Sequence, residues 1–103
     1  MKSKNKNKIK KTKINDADLV CLYYDLSMYL IPRLRRFKEI AISYPSDETS
    51  ESWNEKLDFI ANSLEERCND NLYELPINEM IEVKQRSEKA AKMLGEVWFD
   101  LWS

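Results

Sequence analysis

A chain of 103 residues with one glycine, three prolines and 43% hydrophobic residues is long enough to enclose one small core and too short for two. Histidine is absent and Cys21 and Cys68 stand far apart, which excludes the usual zinc ligand sets and points to reduced thiols. The formal charge of −1 conceals two opposed parts: residues 1–13 hold seven of the 17 Lys and Arg and no acid, so the rest of the chain sets 10 cations against all 18 Asp and Glu, a net of −8.

Between Lys2 and Lys13 the only apolar side chain is Ile9. Such a segment buries too little to offset the entropy of ordering it, so residues 1–14 are expected to form a disordered lysine-rich tail and residues 15–103 the helical domain. The tail is basic like the start of a secretion signal, but no apolar segment follows it, and no apolar run approaches the roughly 20 residues that span a bilayer. A cytoplasmic protein without membrane contact is expected. The tail itself reads either as a solubilising segment or as a polybasic arm for nucleic acid or an acidic surface.

NDAD at 15–18 supplies N-cap formers and opens a first helix expected over 16–43. Leu19, Tyr23, Leu26, Leu30, Leu34, Phe37 and Ala41 recur at steps of three and four and form its apolar stripe. Pro32 removes an amide donor and crowds the carbonyl of Met28, so this helix is expected to kink. Tyr44, Pro45 and the polar run after them form a hinge loop. A second helix is expected over 50–69, with a capping box between Ser52 and Glu55, a stripe of Trp53, Leu57, Ile60 and Leu64, and an end at the turn formers of CNDN.

The third helix, 76–102, begins at Pro76, where a missing amide is tolerated. Its stripe is Ile77, Met80, Ile81, Ser87, Ala91, Leu94, Trp98 and Leu101. Ala91 and Gly95, both small and one turn apart, are expected to admit another helix closely. The three stripes predict an all-α, three-helix bundle with antiparallel neighbours. Its expected core is Leu26, Leu30, Leu34, Phe37, Trp53, Leu57, Ile60, Leu64, Leu94 and Trp98.

Catalytic chemistry is scarce: there is no histidine base, no glycine-rich phosphate loop, and no serine, cysteine or lysine beside an activating partner. Glu55 with Asp58 and Glu79 with Glu82 could project four acids toward magnesium, as in all-helical nucleotide pyrophosphohydrolases. That family, however, carries ExxE before ExxD, the reverse of the order here, and both pairs sit where acids stabilise a helix start. The chain reads as a non-enzyme without metal or cofactor. Two surfaces remain. Trp98, Phe99 and Trp102 cannot share one groove at about 100° per residue, so they either close the core against Trp53 or form a partner or homodimer interface, and a homodimer covering this aromatic end is expected. Arg33, Arg35, Arg36 and Lys38 make a basic patch, either solvated and paired with the chain's own acids or open to a partner; the tight turn of a DNA-reading helix pair is missing.

DLSMYLIPRLRRFKEI at 25–40, SWNEKL at 52–57 and FDLW at 99–102 resemble a group of small uncharacterised proteins encoded by phages and prophages of low-GC Gram-positive bacteria. The likeness implies a viral accessory setting and carries no chemical motif. The expected function is binding: a small acidic helical protein that engages and inhibits a bacterial host or defence protein. Nucleic-acid-processing enzymes and CRISPR effectors are among the partners expected, an anti-CRISPR-like role. The expected contact residues are Trp98, Phe99, Trp102, Arg33, Arg35 and Arg36. The alternative is a nucleic-acid-associated accessory or regulatory protein that uses the lysine tail and the patch from Arg33 to Lys38.

Overall fold

The computed structural model describes residues 13–102, so the expected disorder of residues 1–14 lies almost wholly outside the described residues. Three helices follow one another: α1 over Leu22–Ile40, α2 over Ser50–Arg67 and α3 over Ile77–Val97. Short 3₁₀ turns occupy Asp16–Leu19, Leu72–Glu74 and Trp98–Asp100, and the described residues contain no strand. The protein is a small all-α three-helix bundle. None of its described helices is long and apolar enough to cross a membrane.

The middle helix organises the bundle. α1 and α3 each pack along α2 and scarcely touch one another. Arg35 of α1 meets Glu65 and Lys38 meets Asp58, so numbers fall on α2 as they rise on α1. Arg86 pairs with Glu66 and Lys89 lies over the Phe59 ring, which gives α3 the same sense. Both flanking helices thus run antiparallel to α2, and their C-terminal ends share one end of the bundle. Because α2 is covered from two sides, it buries a wide band: Trp53, Leu57, Ile60, Ala61 and Ser63. Ile31 and Leu34 close on this band from α1 and Val97 from α3, with Leu30, Phe37, Leu64, Met93, Leu94 and Leu101 packed around them.

The boundaries differ from the expected ones for local reasons. The expected first helix over 16–43 begins instead as a 3₁₀ turn, whose cap is Asn15 accepting from the Ala17 amide at 3.0 Å, and breaks at Cys21 (φ −138°, ψ 73°) before α1 starts. It ends at Ile40 because Ala41 turns extended (φ −68°, ψ 129°) ahead of the Tyr44 and Pro45 loop. The helix is continuous through Pro32, which faces solvent. The carbonyl of Met28, denied its usual donor, therefore lies on the wet side of the helix, where water can take its place. The second helix ends at Arg67, not at residue 69. Its capping box lies one turn earlier than expected. Thr49 Oγ1 accepts from the Ser52 amide at 3.0 Å and Ser52 Oγ accepts from the Thr49 amide at 2.9 Å, so Glu55 takes no part. The third helix, expected to reach 102, stops at Val97 and tightens into the turn that carries Trp98 and Phe99.

Two expected core residues are corrected outright: Leu26 and Trp98 are more than half exposed. Their stripes are real, but α1 and α3 do not approach closely enough at that level to cover them. On α3 the buried positions are Val83, Ser87, Ala90 and Val97, so the inward face is turned by one residue from the Ala91 and Trp98 line. The expected close approach at Ala91 and Gly95 does not occur among the described residues, since a Cβ at Gly95 would meet none of them within 4 Å. Leu72, in the α2–α3 connection, is an unexpected buried anchor.

Candidate binding surfaces

The shared C-terminal end of α1 and α3 forms an aromatic edge. After Val97 the backbone turns, and Phe99 and Trp102 project from the 3₁₀ turn and the residues after it at 89% and 70% exposure. Trp102 and Asp100 line a small hollow with Ser43, Tyr44 and Pro45 of the α1–α2 loop. Tyr44 and Ile42 in that loop are also exposed. Two connections distant in sequence therefore pool their apolar side chains at one end. Of the three aromatics singled out by sequence, Phe99 and Trp102 lie at this edge, while Trp98 turns toward a groove.

That groove, of about 540 Å³, lies between α1 and α3 over α2. Tyr23, Leu26, Tyr29 and Leu30 form the α1 wall, and Ala91, Leu94 and Trp98 the α3 wall. Leu64 and Arg67 of α2 lie at its floor, with Ser27, Ser87 and Glu88 completing the lining. It exists because both walls lean on α2 and not on each other. Arg67 donates to Ser87 Oγ at 2.6 Å, which in turn donates to the Lys84 carbonyl at 2.7 Å. Sequence reasoning passed over Arg67, although it falls three residues after Leu64, in step with the α2 stripe.

The basic patch is largely engaged inside the chain. Arg35 donates to both carboxylate oxygens of Glu65, at 3.1 and 2.8 Å, and to Asn62 Oδ1 at 2.8 Å. The hydrogen bond to Glu65 raises the pKa of the guanidinium and lowers that of the carboxyl. Arg36 pairs with Glu39 on its own helix at 3.0 Å and Lys38 with Asp58 at 2.8 Å. Arg33 folds back over the Tyr29 ring, 3.7 Å from its centroid, and donates to the Tyr29 carbonyl at 2.8 Å. These cations brace α1 and dock it on α2.

Among the described residues no group of three or more Cys, Asp or Glu converges as a metal site would require. Asp58, one of the four acids considered for magnesium, is committed to Lys38. Cys21 and Cys68 carry free thiols, and burial pushes the Cys68 thiol up from its ordinary value. The geometry defines a small all-α protein whose distinctive features are two apolar surfaces. The chain matches no protein-family model, and neither the curated proteins nor the solved structures contain a significant match to it.

Proposed function

We propose that this chain is a small phage-type binding protein that acts in the bacterial cytoplasm, engaging and inhibiting a host or defence protein through the aromatic edge at the end of α3. The observation that supports this most is the exposure of Phe99 and Trp102, at 89% and 70%, with Trp102 lining a hollow shared with the exposed Tyr44. Large aromatics left in water are costly to keep there and are the side chains that most often dominate binding energy when a partner desolvates them. The charge of the domain supports a choice among partners. Its acids outnumber its cations, and Arg35, Arg36, Lys38, Lys56 and Arg86 already face carboxylates of the same chain. A surface of free carboxylates suits a basic nucleic-acid channel, which favours a nucleic-acid-processing enzyme, CRISPR effectors included.

The experiment is affinity capture from a Gram-positive host lysate with the full chain and, in parallel, with a Phe99→Ala/Trp102→Ala double variant of unchanged circular dichroism. A protein retained by the parent chain, lost with the double variant and released by raised salt is the expected result. Equal retention by both chains, or none by either, contradicts the proposal.

A further inference from the structure

The groove between α1 and α3 is an apolar concavity of about 540 Å³, and its surroundings are apolar too. Leu22, Tyr23, Leu26, Tyr29 and Trp98 are 48%, 52%, 59%, 62% and 54% exposed. At roughly 100 Å² each, these five offer about 500 Å² of apolar surface, a large part of the ~800 Å² that each partner brings to a standard interface. A small ligand in the groove would leave Leu22 and the outer parts of Tyr23 and Tyr29 in water, so the extent of the patch favours a macromolecular occupant.

Charge narrows the choice. Arg67, at the floor, has a buried Nε without a hydrogen-bond partner. Its guanidinium carbon lies 5.8 Å from the Tyr23 ring centroid, and no ion pair among the described residues includes it. An occupant that brings one carboxylate flanked by apolar side chains would complete the site. The outer face of α1 is such a surface: Leu22, Asp25 and Tyr29 follow at steps of three and four, and all are exposed.

We propose that a second copy of this chain covers the groove, in a two-fold dimer in which each α1 lays Leu22, Asp25 and Tyr29 over the groove of the other and Asp25 pairs with the opposite Arg67. Isologous symmetry makes each contact twice and covers both exposed faces of the N-terminal half of α1. An antiparallel α1 pair centred near Leu26 brings each Asp25 to the level of the opposite Arg67. The surface is distinct from Phe99 and Trp102, so the dimer does not rest on the function proposed above.

Sedimentation velocity on the full chain tests this directly. A dimer is expected at about 50 µM, since interfaces of this size bind at micromolar concentration or below. Leu26→Glu is expected to give a monomer with unchanged circular dichroism. Asp25→Arg, a change on a face that is exposed in the monomer, is expected to weaken dimerisation roughly thirtyfold or more, and Asp25→Arg combined with Arg67→Asp to recover most of that loss. A monomeric parent chain at that concentration overturns the proposal, whatever peptide or apolar acid the groove then binds. So does a dimer that Asp25→Arg leaves intact, which keeps the test decisive if Arg67→Asp fails to fold.

Discussion

Leu26 and Leu57 occupy equivalent places in their helical stripes, yet one is 59% exposed and the other 1%. Truncating each to alanine removes the same three carbons, worth about 2.4 kcal/mol of transfer free energy when fully buried. For Leu57 the whole of that is lost. A cavity is also left in the middle of α2, where neighbours on both sides hold the walls apart, so the total should reach about 3–4 kcal/mol. For Leu26 only the buried two-fifths counts, about 1 kcal/mol, and the groove is already open, so no new cavity forms. The difference of about 2–3 kcal/mol corresponds to roughly 8–24 °C in melting temperature for a domain of this size. Thermal unfolding followed at 222 nm, at a protein concentration of about 1 µM so that self-association contributes little, reads the gap. Equal losses for Leu26→Ala and Leu57→Ala would show that α1 and α3 close over Leu26, and the groove would not exist.

Gly95→Ala should raise stability by about 1 kcal/mol in the same assay, because the methyl meets open space and the helix gains propensity. A loss would mean that something packs against that position. Thr49→Ala should cost about 1 kcal/mol by removing the cap of α2, whereas Glu55→Gln should change stability by less than ~0.5 kcal/mol, since the box closes on Ser52. Acid should weaken the fold through Glu65 and Glu48, held below the ordinary carboxyl value of 4.5 by hydrogen bonds, from Arg35 in one case and from Lys56 and Ser52 in the other. With the folded pKa values depressed, the unfolded chain binds more protons in this range. The contribution is therefore complete above about pH 4.5 and disappears as pH falls through the folded values. Denaturant midpoints should drop as pH falls below about 4.5, and Glu65→Gln with Glu48→Gln should flatten that slope.

Helical periodicity was enough to place three helices and most of the core, because a stripe such as Trp53, Leu57 and Ile60 is a local property of the chain. It could not say how many neighbours cover a stripe. Only α2 has two, and this is why its whole band is buried while Leu26 on α1 and Ile81 on α3 stay in contact with water. The inward face of α3 was misplaced by about 100°, since Trp98 falls in step with Ala91 and Leu94 at spacings of three and four, although Val97 is the residue buried in the core cluster with Trp53 and Leu57. Crowding of Trp98, Phe99 and Trp102 signalled an exposed aromatic end, but Tyr44 could not be added to it because it arrives from a loop more than 50 residues away. Arg67 was hidden for the opposite reason: a lone cation at a helix end is ordinary in sequence, and only the fold gives it an apolar groove for surroundings.

Two surfaces serve two proposed tasks, the aromatic edge meeting a host protein and the α1–α3 groove a second copy. Measuring both in the same two variants tests this division most directly: sedimentation for the dimer, and retention of the captured host protein for the edge. Phe99→Ala/Trp102→Ala should keep the dimer and lose the host protein, while Leu26→Glu should become monomeric with its aromatic edge unaltered. A Phe99→Ala/Trp102→Ala variant that turns monomeric, or one that retains the host protein undiminished, would contradict the division.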